Sequence, residues 1–418
     1  MSFFDSYDIT LLDTCQDESI EYAYRERFLH RWKSAEYQLF PIHPILQSCL
    51  VTPKIIALEQ ELMNVKLAID EFHKFDTKKE KYYNQVTRIL DPFSFYRKEA
   101  QKQVTPAKSM TNAWLKCWEM IHVFKLVSTQ NKDHIQLFCN AELPGAFLFA
   151  LHHYITTKTN STYDWVANSL YPSDHTILGD DFGLVKKYPE KWLMSKEHNG
   201  SVTDVAMIER MKDHCKRTVD LYTSDIGIGL TYETFSKQEE LEAPLHLGQI
   251  ICGLQTLREG GNLVCKTFMF FSPFSISLMY LTSLCFSEFY IYKPETSRAA
   301  NSEVYIIGKG FKINEDIITT LTKRLQTWYS DSTNNNMNTY IVPVPEDFYL
   351  TIFWSLHRIY QRQIYYIQQN INVVKMLYEK GYTAEFYNVR RLHFFKKEQE
   401  RLTNWKRNFS IPFCESSL

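Results

Sequence analysis

Residues 260–270, GGNLVCKTFMF, form an apolar run interrupted by one ammonium, Lys266. An amine stripped of water needs partners, and burial drives its pKa toward neutrality. That shift is the one a proton-transfer lysine uses. A lysine at a strand end can equally extend its methylenes and keep its head in solvent, and the run alone does not decide between the two. A second stretch with chemical content is AELPGAF, residues 141–147, which follows an apolar run and opens the amphipathic LFALHHYI. A strand, a Pro-Gly turn and a helix start are where α/β sheets hold ligands, because free N–H groups face the turn and small residues let a ligand approach. The same pattern also serves as a plain βα connection.

Other chemistries drop out. There is no HExxH and no Cys/His cluster at ligand spacing, and GKGF at 308–311 lacks the rest of a phosphate-binding loop. GIG at 227–229 is too short to carry meaning alone. A hydrophobic share of 44% with 15% aromatics places the chain among folded proteins. The formal charge of -1 confines any nucleic-acid contact to local patches. The nine cysteines are scattered without a CxxC pair, which suits reduced core thiols. Asn160-Ser161-Thr162 reads as a polar loop. The start, MSFFDSYDITLLDTC, lacks a basic and apolar leader, and no 18-residue apolar span follows. The expectation is a soluble, cytoplasmic protein that is neither secreted nor membrane-bound.

These residues need elements to hold them. From about residue 104 short apolar runs alternate with amphipathic stretches, the pattern of an α/β protein whose sheet is covered by helices. Strands are expected at 135–140, 175–182, 219–225, 261–268, 287–294 and 303–311. A crossover helix is expected over 240–259, and the last two strands should pair as an antiparallel hairpin at the sheet edge. The first hundred residues read as helical: Thr52-Pro53 begins a helix and Ile55, Leu58, Leu62, Val65, Ile69 and Phe72 recur at helical spacing. A lysine-rich hinge, KKEKYYNQ, follows at 78–85. Beyond Phe311 the chain is helical again, with one long amphipathic stretch from Glu346 to Lys380 stopped by Gly381. The last stretch interleaves Arg390, Arg391, Lys396, Lys397, Arg401, Lys406 and Arg407 with aromatics. It reads either as a solvated helix face or as a patch for an RNA backbone. The organisation expected is a helical extension at 1–103, an α/β domain at 104–311 and a second helical extension at 312–418.

In order along the chain, AWLKCWEMI (113–121), AELPGAF, WVANSLYP, DDFGL, NGSVTD, VDLYTSD, GGNLVCKTF and KPETSRAANSEVYIIGKGF resemble the FtsJ-like ribose 2′-O-methyltransferases, and the likeness covers roughly residues 104–311. The loop Glu142-Leu143-Pro144-Gly145-Ala146-Phe147 is most similar to that of enzymes methylating the mRNA cap region. The resemblance implies a Rossmann-like, S-adenosylmethionine-dependent methyltransferase sheet flanked by helices. It also implies a catalytic set of Lys116, Asp225, Lys266 and Glu303. In that set Lys266 steers or accepts the proton of the 2′-hydroxyl, Asp225 and Glu303 fix the two lysines, and Lys116 is the second cation. Glu142 to Phe147, Asp181 at the end of the second strand, Ser201 and Val202 are implied for the methyl donor.

Two positions depart from the family pattern. Leu143 stands where relatives have Ala or Gly, and Ser201 where they usually have an Asp that accepts from the adenine amine, with Asp204 as a possible substitute. An active cap-type enzyme acting on RNA, chiefly capped mRNA, is therefore set against a methyltransferase-fold protein that has lost donor affinity and serves as an RNA-binding or assembly subunit. The compact form resembles homologues of large cytoplasmic DNA viruses, which implies replication sites or the virion as locations. The helical extensions are the places for a homodimer contact or a capping-enzyme partner.

Overall fold

The computed structural model describes residues 52–73, 77–128, 134–172, 179–229, 237–329, 336–379 and 392–418. Six strands make one sheet: β1 (His134–Asn140), β2 (Thr162–Ala167), β3 (Val219–Ser224), β4 (Leu257–Thr267), β5 (Phe286–Tyr292) and β6 (Val304–Phe311), in the order β2-β1-β3-β4-β6-β5. The first four run parallel. β6 is antiparallel to β4, and β5 closes the edge antiparallel to β6.

Among the described residues the helices are α1 (Thr52–His73), α2 (Thr77–Leu90), α3 (Phe93–Ala100), α4 (Asn112–Phe124), α5 (Ala146–Lys158), α6 (Leu184–Lys187), α7 (Val205–Cys215), α8 (Gln238–Thr256), α9 (Pro273–Leu284), α10 (Glu315–Thr327), α11 (Glu346–Glu379) and α12 (His393–Asn408). Several begin where the sequence supplies an oxygen for free N–H groups: Thr111 accepts from Trp114, Asp204 from Ala206, Ser272 from Ser275 and Asn314 from Ile317.

Because side chains alternate across a strand, each central strand feeds two cores. Phe138, Val166, Tyr222, Leu263, Cys265 and Ile306 face a core shared with α7 to α11 and with α1 and α2. Leu137, Ala167, Leu221, Val264, Tyr305 and Ile307 face the other, shared with α3, α4, α5 and α12. This is a Rossmann-like α/β fold, a sheet covered by helices on both faces. The helices at both ends of the chain pack into these cores: α11 lies along α1 and α2, and Trp405 of α12 meets Phe93 of α3 edge-on at 5.5 Å.

The structure corrects three expectations. The strand beside β1 is Thr162–Ala167 and not 175–182; Gly179 to Phe182 form a loop and turn, and 173–178 lie outside the described residues. KKEKYYNQ is no hinge but part of α2, as suits Lys and Glu, whose straight side chains lose little freedom in a helix. The crossover helix stops at Thr256, so Arg258, Glu259 and the glycine pair fall in β4, where the pairing with β3 shifts register and Arg258 reaches Asp220 at 2.5 Å. Residues 1–51, Gly381, Arg390 and Arg391 lie outside the described residues.

No helix among the described residues is long and apolar enough to cross a membrane. Seven described cysteines are buried and unpaired.

Candidate active site

The alternation that sorts the core also aims the ionic residues. Lys266 shares the parity of Val264 on β4, and Glu303 precedes β6 with the parity of Tyr305, so both emerge on the side where α4 packs. Tyr305 lies directly opposite Lys266 in the antiparallel register. α4 is buried on every side from Trp114 to Ile121, and Lys116 is buried with it.

There the Lys116 ammonium donates to both oxygens of Glu303, each at 2.9 Å. Burial works against the ammonium, but the charges of Glu303 and Asp225 outweigh it and hold its pKa above the ordinary value. Burial likewise works against the Glu303 carboxylate, and Lys116, Lys266 and Lys293 override it, holding the group well below the usual carboxylate range. Ser297 Oγ donates to Glu303 Oε1 at 2.8 Å.

Lys266 is 9% exposed, so it is not a snorkelling surface lysine. Its Nζ donates to the Asp225 carbonyl at 2.8 Å, lies 3.4 Å from Asp225 Oδ1, and sits 5.6 Å from the Phe268 ring centre. Three donor positions against these two acceptors leave a proton free to point elsewhere. The four residues named from sequence thus form two lysine–carboxylate pairs.

What joins the pairs is a residue sequence reasoning missed. Tyr305, fully buried, donates its hydroxyl to Asp225 Oδ1 at 2.6 Å, presents its ring 5.5 Å from Lys116 Nζ, and stacks on Phe147 of the 141–147 loop at 6.2 Å. Burial first and the Asp225 charge second hold its phenol well above the usual range. Gly227 was also passed over: a Cβ there would stand 3.1 Å from Lys266 Nζ, so a side chain would crowd the amine. Lys293 is a third lysine at Glu303, donating to the Glu303 carbonyl at 2.7 Å, the Asn301 carbonyl at 2.8 Å and Asn301 Oδ1. Burial pushes its pKa down to about 7 against the pull of Glu303.

The 293–303 connection is anchored from outside. Glu295 pairs with Arg362 of α11 at 2.9 Å and Arg401 of α12 at 3.3 Å. Burial alone would raise its carboxyl, but the two guanidinium groups hold it down at about 2. Glu119 of α4 accepts from Tyr292, Glu295, Thr296 and Trp405. Arg401 and Lys406, which the sequence leaves open between a solvated helix face and an RNA-backbone patch, form ion pairs within the chain, Lys406 with Glu99 at 2.9 Å.

At the C-terminal ends of β1 and β2 the 141–147 loop is held by buried amides. Asn140 Oδ1 accepts from Ala141 N and from Asn168 Nδ2, both at 2.9 Å, and Asn168 Nδ2 also donates to the Gly200 carbonyl. That network brings NGSVTD beside the loop. Gly145 takes φ +119, open to glycine and strained for other residues, and a Cβ there would meet Leu184 Cδ1 at 2.3 Å. The segment after Asp181 therefore covers the loop, while Asp181 itself is exposed in a turn and its carbonyl accepts from Lys108 at 2.5 Å.

Glu142 is buried; one oxygen accepts from Leu148 N at 2.8 Å, the other has no hydrogen-bond partner, and burial pushes the pKa up to about 8. Asn168 Oδ1 is likewise unpartnered. The Leu143 side chain packs in the core with Pro144 after it, Ala146 and Phe147 open α5, and Val202 is buried against α8. Ser201 Oγ lies 2.9 Å from Thr203 Oγ1, and Asp204 is used as the cap of α7. Among the described residues there is no His, Cys, Asp and Glu grouping that could hold a metal ion.

The sequence profile described as FtsJ-like methyltransferase matches residues 110–311. A protein of African swine fever virus (isolate Pig/Kenya/KEN-50/1950) named "Probable methyltransferase EP424R" is 33% identical over 367 residues, covering 82% of each chain. "Uncharacterized protein L511" of Acanthamoeba polyphaga mimivirus is 27% identical over 83% of this chain and 43% of its own. "Cap-specific mRNA (nucleoside-2'-O-)-methyltransferase 2" of Drosophila melanogaster is 32% identical over 49% of this chain and 30% of its own.

Proposed function

Because the chain belongs to the FtsJ-like methyltransferase family, we propose that it transfers a methyl group from S-adenosylmethionine to a ribose 2′-hydroxyl in the cap region of messenger RNA. The observation that carries this reading is the convergence of the Lys116–Glu303 and Lys266–Asp225 pairs on Tyr305, beside a ligand-type loop. The cap-region substrate is supported by the name of the Drosophila relative. The two viral relatives support a viral setting, with cytoplasmic replication sites or the virion as the place of action.

S-adenosylmethionine supplies a methyl group activated on a sulfonium. The residues at the strand ends fit such a ligand: Asn168 Oδ1 is a buried acceptor in need of an N–H or O–H donor, and the unpartnered oxygen of Glu142, on a carboxyl that burial keeps largely protonated at neutral pH, can donate as well as accept; an amino acid and a ribose bring partners for both. Leu143 does not argue against this, since its side chain packs in the core. On the reacting side, the position of Lys266 Nζ left free by Asp225 addresses the 2′-hydroxyl: as an ammonium it steers the hydroxyl by donating to its oxygen, and as the neutral amine, after losing that proton to solvent, it takes the hydroxyl proton on its lone pair as the oxygen gains the methyl. Asp225 holds Lys266 in place, Tyr305 holds Asp225, and Glu303 neutralises Lys116 so that two buried ammonium groups can coexist.

The rival reading, a donor-deficient RNA-binding or assembly subunit, rests on Ser201, since the nearby Asp204 is occupied as a helix cap. One experiment separates the two: calorimetric titration with S-adenosylmethionine, followed by methyl transfer to capped RNA with Lys266→Ala as control. Micromolar binding, and transfer abolished in the variant, supports the enzyme. Absent binding that returns in a Leu143→Ala, Ser201→Asp double variant supports the subunit.

A further inference from the structure

A cavity of about 710 Å³ opens beside the reacting residues. Its near wall is Phe268, whose ring lies under the Lys266 ammonium, with Asn301 and Ser302 immediately before Glu303. Its far wall is built from helices outside the 110–311 match: Glu59 and Gln60 of α1, Asn84 of α2 and Asn370 of α11. The volume is that of a small-molecule site, within the usual ~300–1,000 Å³.

The chemistry of the walls narrows the occupant. A phosphate groove is lined with cations, but here Lys66, Arg298 and Arg401 face the carboxylates of Asp91 and Glu398, and Arg401 and Glu398 are paired at 3.1 Å. A lipid pocket is apolar, yet this one carries six amide side chains, Gln60, Asn84, Gln238, Asn301, Gln363 and Asn370. Aromatic rings complete it, Tyr83 and Tyr366 among them. Amides that present a donor and an acceptor together, with rings to stack on, are the means by which proteins read unstacked bases. Glu59 adds to this: burial, and then the Glu239 charge, raise its pKa to about 7, so near neutral pH it can donate as well as accept.

Covalent geometry supplies the location. The base is attached to C1′, the atom next to the one bearing the 2′-hydroxyl, so a ribose presented to Lys266 carries its base one ring-width away, past Phe268. We infer that this cavity receives the base of the nucleotide whose ribose is methylated, and that Gln60 and Asn84 of the N-terminal helices read its edge. This rests on the 2′-hydroxyl reading proposed above and adds to it a base preference contributed by helices outside the shared catalytic region.

The test uses the full chain and capped oligoribonucleotides carrying 4-thiouridine in turn at each of the first few nucleotides. Crosslinked peptides are mapped, and methyl transfer to the same oligonucleotides is measured and its position read by nuclease digestion. The probe at the methylated position is expected to crosslink to peptides of α1 and α2. A Gln60→Ala, Asn84→Ala double variant should shrink the rate advantage of a base-bearing over an abasic target about tenfold. Crosslinks from that position confined to other segments, or equal wild-type rates on base-bearing and abasic targets, overturn the inference while leaving the methyltransferase reading intact. Crosslinks to α1 and α2 without methyl transfer to any ribose overturn the methyltransferase reading and keep the pocket.

Discussion

Replacing Glu303 by Gln keeps the shape of the side chain and removes one charge from the centre of the site. Lys116 and Glu303 are 6% and 7% exposed, and their 2.9 Å contacts use both carboxylate oxygens. Breaking a buried pair from one side costs about 3–5 kcal/mol, because the remaining charge is left without its partner. There is a ceiling: Lys116 can shed its proton, which at pH 7 costs an amine of ordinary pKa about 10.4 roughly 5 kcal/mol. Gln retains one acceptor and Asp225 retains its charge nearby, so a loss near the lower end, about 3 kcal/mol, is expected.

The pH dependence follows from the shifts. The Glu303 pKa is depressed, so its share of the stability is present above the unfolded value and is lost as pH falls through the folded one. The Lys116 pKa is raised, so its share is present below the unfolded value and is lost as pH rises through the folded one. The difference between wild type and Glu303→Gln should therefore be flat from about pH 5 to about pH 10 and shrink in acid. Denaturant unfolding of both proteins across that range measures it. A difference under about 1 kcal/mol at pH 7, or one that persists undiminished at pH 2, would refute the pairing argument. A Lys116→Met, Glu303→Leu double variant should recover most of the stability and none of the methyl transfer.

Tyr305→Phe removes a 2.6 Å hydrogen bond to a carboxylate and should cost about 1.5–3 kcal/mol. It should also lower kcat more than it raises KM, and an unchanged kcat would mean that Asp225 needs no such support. Glu142→Gln should flatten the stability–pH curve. Its raised pKa stabilises the fold below the unfolded value near 4.5, and this is lost as pH rises to about 8, with a slope near 1.4 kcal/mol per pH unit; identical slopes in the two proteins would contradict its burial as an uncharged acid. Glu295→Gln should loosen the 293–303 connection, seen as faster amide exchange there than in β1, whereas unchanged exchange would show that Arg362 and Arg401 are not its anchors.

The sequence revealed strands where apolar runs carry β-branched and aromatic residues, as in β1, β3, β4 and β6. It hid β2, because TYDWVA starts with exposed and half-buried polar residues and only its last half is buried, whereas HTILGDDF offers a more strand-like run. Lys116, Asp225, Lys266 and Glu303 could be singled out because they sit in recognisable contexts, and the fold brings them into two ion pairs. Tyr305 was not: in VYIIGKGF it reads as one more core aromatic, and only the register that sets it opposite Lys266 exposes its role. Lys293 has the same difficulty, since a lysine before a proline looks like a surface residue until the 293–303 connection folds around it. KKEKYYNQ misled because charge density was read as a break in structure, when those side chains favour a helix.

Glu119 receives the indole N–H of Trp405 across 286 residues of chain. The strands and the helix that presents Lys116 emerge from the ribosome long before that tryptophan does. Domains assemble as synthesis proceeds, yet here the clasp on the Glu303 connection waits for α12, which follows the whole sheet in the chain. A nascent chain that stops before α12 would hold the sheet without the Trp405 clasp, so the 293–303 connection is secured only after that helix has been made.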